Sequence, residues 1–180
     1  RSVLTRDGRI AKAAKRLDAI GILAHTNHRA VALVCPSAAA SGFYGSPVVG
    51  FSSLELLALG TKFARAAAGG RHCFCSTTVL DATFAARNPL KLHIASVVNH
   101  FLDSWSEDPS TRVQLASAWP SLLDRARRAG SERWRLVTGP AGVLLNTLMD
   151  VGWFPPTPSL WTSDRGEAWE IAQPGDLEGT

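Results

Sequence analysis

Twenty-five consecutive residues, Ala30 to Leu54, carry no charged side chain. A stretch of that length must be buried, in lipid or in the chain's own core. Pro36, Pro47, three glycines and five serines interrupt it, and its solidly apolar part runs only from Ala30 to Cys35. A membrane-spanning helix needs about 20 predominantly apolar residues. The stretch therefore predicts a buried helix running into a loop, and no membrane partner. The 180 residues, 46% apolar and 19% charged, are enough to build a globular core around it.

Helical periodicity dominates the rest. Ile10, Ala13, Ala14, Leu17, Ile20 and Ala24 recur at helical spacing from Arg9 to Ala24. A second helix is expected from Asn27 toward Ala40, kinked or ended by Pro36. "SGFYGSPVVG" reads as loop. Ser52 or Ser53 can cap a helix from Leu54 to Ala68, stopped by Gly69-Gly70. "HCFCSTTVLDATF" is β-branched and aromatic, which predicts a short strand or an irregular link. Pro89 opens a helix with an apolar stripe of Leu90, Ile94, Val97, Val98, Phe101 and Trp105. His93, Ser96, His100 and Asp103 are expected on its solvated side. Pro109 opens another helix, which Pro120 should interrupt, and "DRARRAG" puts cations in a last turn.

"TGPAGVLLNTLMDVGW" raises the question of a phosphate cradle. It matches neither the P-loop nor the dinucleotide pattern, and Pro140 lacks an N–H that a cradle would use. It reads better as a capped helix. Gly139 is the expected N-cap, Pro140 stands at N1, Leu144, Leu148 and Val151 form the buried face, and Gly152 takes the left-handed position after the end. "SLWTSDRGEAWEI" predicts a β-hairpin turning at Asp164-Arg165-Gly166, with Trp161 and Trp169 on its arms. The fold class expected is mainly α: a helical bundle, then a helical connection region with a small C-terminal β-hairpin. The expected divisions are a basic helical region at 1–70, a connection region at 71–135, the capped helix plus hairpin at 136–172, and a frayed tail at 173–180.

The chemistry is sparse. His25-x-x-His28 and His72-Cys73-x-Cys75 supply soft ligands at spacings that suit zinc poorly, so no metal is expected. Asp103, Glu107 and Asp108 lie where a solvated helix end puts them, and no serine sits in a nucleophile elbow. No catalytic residue, cofactor or small-molecule ligand is expected on this chain. Three cysteines make no disulfide framework, and no signal peptide follows Arg1, so an intracellular site, nuclear or cytoplasmic, is expected rather than a secreted one. The lack of an initial Met points to an internal or C-terminal part of a longer chain.

Charge is the best chemical signal. Residues 1–30 hold seven Lys or Arg against two acids, and residues 150–180 hold six acids against one Arg. Arg6, Arg9, Lys12, Lys15, Arg16 and Arg29 can follow a phosphate backbone, and Arg125, Arg127 and Arg128, with Arg133 and Arg135 nearby, form a second cluster.

Two regions resemble the part downstream of the catalytic domain in reverse transcriptases of non-LTR (LINE-like) retroelements, the dinoflagellate-type set in particular. One is "FYGSPVVGFSSLELLAL", with Tyr44, Gly45, Gly50, Ser52, Leu54 and Leu57. The other is the series Trp134, Gly139, Pro140, Gly152, Trp153, Trp161, Gly166, Trp169. With the basic helix ahead of them the similarity spans about residues 9 to 171. Ala40 stands where the family often has Pro, and no two Asp are adjacent, so the paired polymerase aspartates and their Mg2+ would lie upstream. The resemblance implies a thumb-like region at 1–70 that grips the template–primer duplex by its backbone. Its partners would be RNA or an RNA–DNA duplex and the remainder of its own polymerase. Two alternatives stand beside it: a helical interaction or scaffold module without nucleic-acid binding, and, within the resemblance, a decayed element's inactive relic.

Overall fold

A computed structural model describes residues 2–72 and 75–171. Cys73 and the expected frayed tail at 173–180 lie outside the described residues. The chain is mainly helical, with eight α-helices among the described residues and one two-stranded antiparallel sheet. It forms two compact units: Arg1–Ser46 with Phe51–Ala95, and Pro47–Gly50 with Ser96–Thr180. The expected boundaries at 70 and 135 do not coincide with this division.

The first unit is an up-and-down arrangement that can be read from its cross-contacts. Helix α1 (Ser2–Thr26) buries Ala13, Leu17, Ile20 and Ala24, the face its periodicity predicts. Asn27 stops it and starts a 3₁₀ segment, His28–Leu33, by accepting from the Arg29 amide at 3.1 Å. Pro36 cannot donate a backbone hydrogen bond, and the chain passes it as a π-helical stretch, Val34–Ala39, before α2 (Ala40–Gly42). This return limb runs antiparallel to α1. The Arg16 guanidinium donates to the Ser37 carbonyl at 2.8 Å, and a Cβ at Gly42 would stand 3.1 Å from that of Ala13. The uncharged stretch contributes Val31, Val34, Ala38, Ala39 and Phe51 to the core, while Leu33, Tyr44, Val48 and Leu54 stay exposed. The expected loop "SGFYGSPVVG" contains one more helical turn, α3 (Ser46–Val49).

Helix α4 (Ser53–Ala67) opens on a complete capping box: the Ser52 hydroxyl accepts from the Glu55 amide and the Glu55 carboxylate accepts from the Ser52 amide. It runs in the same sense as α1, with Arg6 beside Glu55 and Asp18 beside Lys62. At their far ends Gly21 meets the backbone of Ala66 and Gly70, so the α1 glycine marks a close approach. Leu17, Ile20, Val34, Phe51, Leu59, Phe63 and Leu80 fill the core.

The expected strand or link after residue 75 is a helix, α5 (Ser76–Phe84), packed on α4. Leu80 is fully buried and Val79 and Phe84 pack beside it, so tertiary burial at helical spacing overrides the β-propensity of the segment. Helix α6 (Pro89–Glu107) follows Asn88, whose side chain accepts from the Leu90 amide at 3.0 Å. Residues of α6 up to Ala95 belong to the first unit and those from Ser96 to the second.

The second unit contains α7 (Pro109–Ala129), a 3₁₀ segment Gly130–Leu136, and α8 (Gly139–Asp150). Pro120 does not interrupt α7: it and Ala116, four residues earlier, are exposed, so the carbonyl deprived of its amide partner stays within reach of water. The α8 boundary falls one residue before the expected cap. Thr138 is the N-cap, without a side-chain bond, and Gly139 has φ +76°. The end is a full Schellman motif, with Gly152 at φ +82°, its amide on the Met149 carbonyl and the Trp153 amide on the Leu148 carbonyl. Leu144 and Leu148 are buried as expected, but Val151 is exposed, because it is already the C-cap. The hairpin pairs β1 (Leu160–Thr162) with β2 (Ala168–Glu170), Trp161 opposite Trp169. Trp161, Trp119, Phe101 and Trp105 join the leucines of α8 in one core. The buried indoles of Trp119 and Trp161 donate to the carbonyls of Pro155 and Pro158, each at 3.0 Å.

Candidate nucleic-acid interface

The basic stripe of α1 does not face outward as a whole. Arg6 is half-buried between Glu55, at 2.8 Å, and Asp7, at 3.6 Å. Arg9 lies over the Tyr44 ring, 5.6 Å from its centroid, with its Nε buried. Arg16 is spent on the Ser37 carbonyl. Helical spacing put these three with Lys12, but the return limb and α4 pack against their side of the helix. Lys12 and Lys15, one turn apart, remain exposed, as does Arg29 at the start of the 3₁₀ segment. Among the described residues, no carboxylate lies in ion-pair range of these three.

Sequence reasoning passed over other cations of the same unit: Arg65, Arg71 and Arg87 are exposed too. The signal that finds them is the charge of the folded unit, not the spacing along one helix. Residues 1–46 and 51–95 carry twelve Lys or Arg and four acids, a net charge of +8. All four acids, Asp7, Asp18, Glu55 and Asp81, already hold a cation of that unit within ion-pair range. Asp81 also accepts from Asn88, and these partners draw its carboxyl below the usual range. The unit therefore presents positive charge with nothing left over to neutralise it locally. The second unit, with seven Lys or Arg against eleven acids, is net −4.

The second cluster of arginines lies in that acidic unit and is largely engaged. Arg128 pairs with Asp124 and Arg135 with Glu132. Arg127 stacks on Phe154 at 4.6 Å, and Arg133 lies half-buried against Asp150, which also accepts from the Trp134 indole at 2.9 Å. Arg125 is exposed.

The glycines among the residues that carry the resemblance are conformational fixtures. Gly45, Gly50, Gly139, Gly152 and Gly166 all have φ between +71° and +82°. At Gly50 a Cβ would come within 2.5 Å of the Trp134 ring. Pro140 is in the first turn of α8. Trp153 and Trp169 pack 6.0 Å apart, Trp161 is buried, and Tyr44 is exposed beneath Arg9.

His93, expected on a solvated helix face, is a buried residue. It stacks on Phe43 at 4.7 Å, meets Phe51 edge-on, and its Nδ1 shares a 3.0 Å hydrogen bond with the buried Ser46 hydroxyl. Burial lowers its pKa to about 4. Among the described residues, no carboxylate completes this Ser–His pair into an acyl-transfer triad. His25, His28, His72 and Cys75 are exposed, and among the described residues no three His, Cys, Asp or Glu converge as metal ligands. Nor is any described helix long and apolar enough to cross a membrane.

Comparison with known proteins finds no matching family profile, no matching curated protein and no matching solved structure.

Proposed function

We propose that this chain binds nucleic acid by its phosphate backbone through the first unit, as a non-catalytic, thumb-like part of a non-LTR retroelement reverse transcriptase. The observation that carries the binding is the net charge of +8 on a unit whose every carboxylate is already paired. Lys12, Lys15 and Arg29 make the contacts; such charges position a duplex without reading its sequence. The motif residues from Tyr44 to Trp169 support the family, and in this reading the polymerase centre and its Mg2+ belong to another part of the protein.

The test is binding of a labelled RNA–DNA hybrid across a salt series. The expected slope of log affinity on log salt is about −3 if three phosphates are neutralised. Reversing Lys12, Lys15 and Arg29 to Glu should flatten it and weaken unrelated sequences alike. Affinity unchanged between low and moderate salt overturns the binding. The family is tested separately, by reading the coding sequence ahead of Arg1 for a paired-aspartate polymerase motif.

A second reading, a helical interaction module, is favoured by one feature: Ile22, Leu54 and Leu57 are 74, 79 and 62% exposed. It requires no retention on a duplex at low salt, and self-association or a stable protein partner instead.

A further inference from the structure

The first unit contains a cleft of about 730 Å³ between the segment His28–Ala39 and the end of α5. That volume is within the range of small-molecule sites, about 300–1,000 Å³. His28, Arg29 and Arg87 stand on its walls, and among the described residues no carboxylate does. Its apolar lining includes Val31, Pro36 and the half-buried Phe84 ring, and the Cys35 thiol faces it while donating to the Arg87 carbonyl at 3.3 Å. Two independent features of the backbone mark the same place. One wall is the π-helical stretch that contains Cys35 and Pro36, a rare conformation that recurs at functional sites. The opposite wall turns at Ala85, where φ is +47°, an unfavourable value for a residue with a Cβ. Strain of this kind persists where a particular placement of the neighbours, here Phe84 and Arg87, is being held.

We propose that this cleft binds a phosphate monoester joined to a flat apolar body, which is the chemistry of a nucleotide. Two guanidiniums and an imidazole with no opposing acid suit a dianion better than a single carboxylate. The aromatic and aliphatic lining suits a ring. A free mononucleotide and the phosphorylated end of a strand share this chemistry. The thiol takes no covalent part: burial raises its pKa.

The thiol is instead the reporter. Alkylation of the intact protein by iodoacetamide, mapped by mass spectrometry, compares Cys35 in the cleft with Cys75, which is exposed outside it. Saturating adenosine 5′-monophosphate should slow modification of Cys35 and leave Cys75 unchanged. Adenosine without phosphate, or inorganic phosphate alone, should protect far less. Arg87→Gln keeps the carbonyl that holds Cys35 and should weaken protection about tenfold, the loss of one charge-assisted contact; Arg29→Gln should do likewise. A 5′-phosphorylated oligonucleotide protecting where its unphosphorylated twin does not identifies strand ends as the source, and protection by adenosine 5′-monophosphate with none by either oligonucleotide identifies the free nucleotide. No protection by either phosphorylated probe, or equal protection by inorganic phosphate, overturns the proposal. Arg29 serves both readings, so Arg87→Gln and Lys12→Glu with Lys15→Glu are the variants that separate them: the first should weaken only Cys35 protection and the second only duplex binding, and either idea can then fail alone.

Discussion

The two units solve the problem of arginine in opposite ways. In the first, arginines lie across the return limb and the neighbouring helix, and each is anchored differently: two carboxylates for Arg6, a ring for Arg9, a carbonyl for Arg16. Arg6, Lys62 and Lys91 take up the four acids, and Lys12, Lys15, Arg29, Arg65, Arg71 and Arg87 remain exposed. In the second, acids outnumber cations, and the key arginine is drawn inward with Asp150 and Trp134. The difference teaches that a basic run in sequence is not a basic surface. What survives on the surface is the charge left after packing has taken its share.

The largest effect that can break this comparison is in the second unit. Asp150 satisfies both Arg133 and the Trp134 indole, and the pair is mostly buried. Asp150→Ala should cost about 3 kcal/mol, because it strands a half-buried guanidinium and leaves the Trp134 indole without its acceptor. Hydrogen exchange should show the loss in α8 and the Gly130–Leu136 segment. A loss below about 1 kcal/mol would mean the pair is in effect solvated.

In the first unit the Arg6–Glu55 pair is more exposed than this one, and the weak point is a neutral residue. His93 holds its proton less tightly folded, with a pKa of about 4, than unfolded, where about 6.5 applies. Below the unfolded value the unfolded chain gains a proton that the folded chain refuses. Stability is therefore full above about pH 6.5 and falls as pH drops toward 4, by about 3 kcal/mol in all. Urea midpoints at pH 7 and 5 read this directly, and His93→Leu should remove most of the difference. The carboxylates of Asp81 and Asp108, both lowered by hydrogen-bond donors and in the first case by Lys91, enter only at more acidic pH.

Glycine separates the two causes of strain. Gly50→Ala combines a left-handed φ of +71° with a collision against Trp134. It should cost about 2–4 kcal/mol. Gly166, at φ +81° with open space around it, carries only the backbone term, so Gly166→Ala should cost about 1 kcal/mol. Thermal denaturation of the two variants gives the difference, and equal losses would remove Trp134 as the cause.

How legible all this is in the sequence depends on how local the cause is. The start of α4, the Gly152 stop and the Trp161–Trp169 hairpin follow from residues within one turn of each other, and they were readable. Helix α5 was not, because Thr77, Thr78 and Val79 point to a strand unless it is known that Leu80 will be buried. His93 looked solvated because polar residue types share its face, while Phe43 and Phe51, far away in sequence, enclose it. The candidate interface was half legible for the same reason. The count of cations could be read, but not which ones Ser37, Tyr44 and Glu55 would occupy. The cleft at Cys35 and Arg87 joins residues 52 apart and left no local trace.

The smallest prediction tests that locality itself. Helices α4 and α8 begin by different devices. Ser52 caps α4 through its side chain, whereas Thr138 makes no side-chain bond and leaves the start of α8 to Gly139 and Pro140. Ser52→Ala should therefore cost about 1 kcal/mol, and it also strips Glu55 of one of the bonds that hold it beside Arg6. Thr138→Ala should change stability by no more than a few tenths of a kcal/mol, about the scatter of ordinary surface substitutions. If urea denaturation finds the two losses equal, the capping box is not what starts α4. Its entry is then fixed by Phe51, buried immediately before it, and the first unit would be as dependent on core packing at its helix starts as the second.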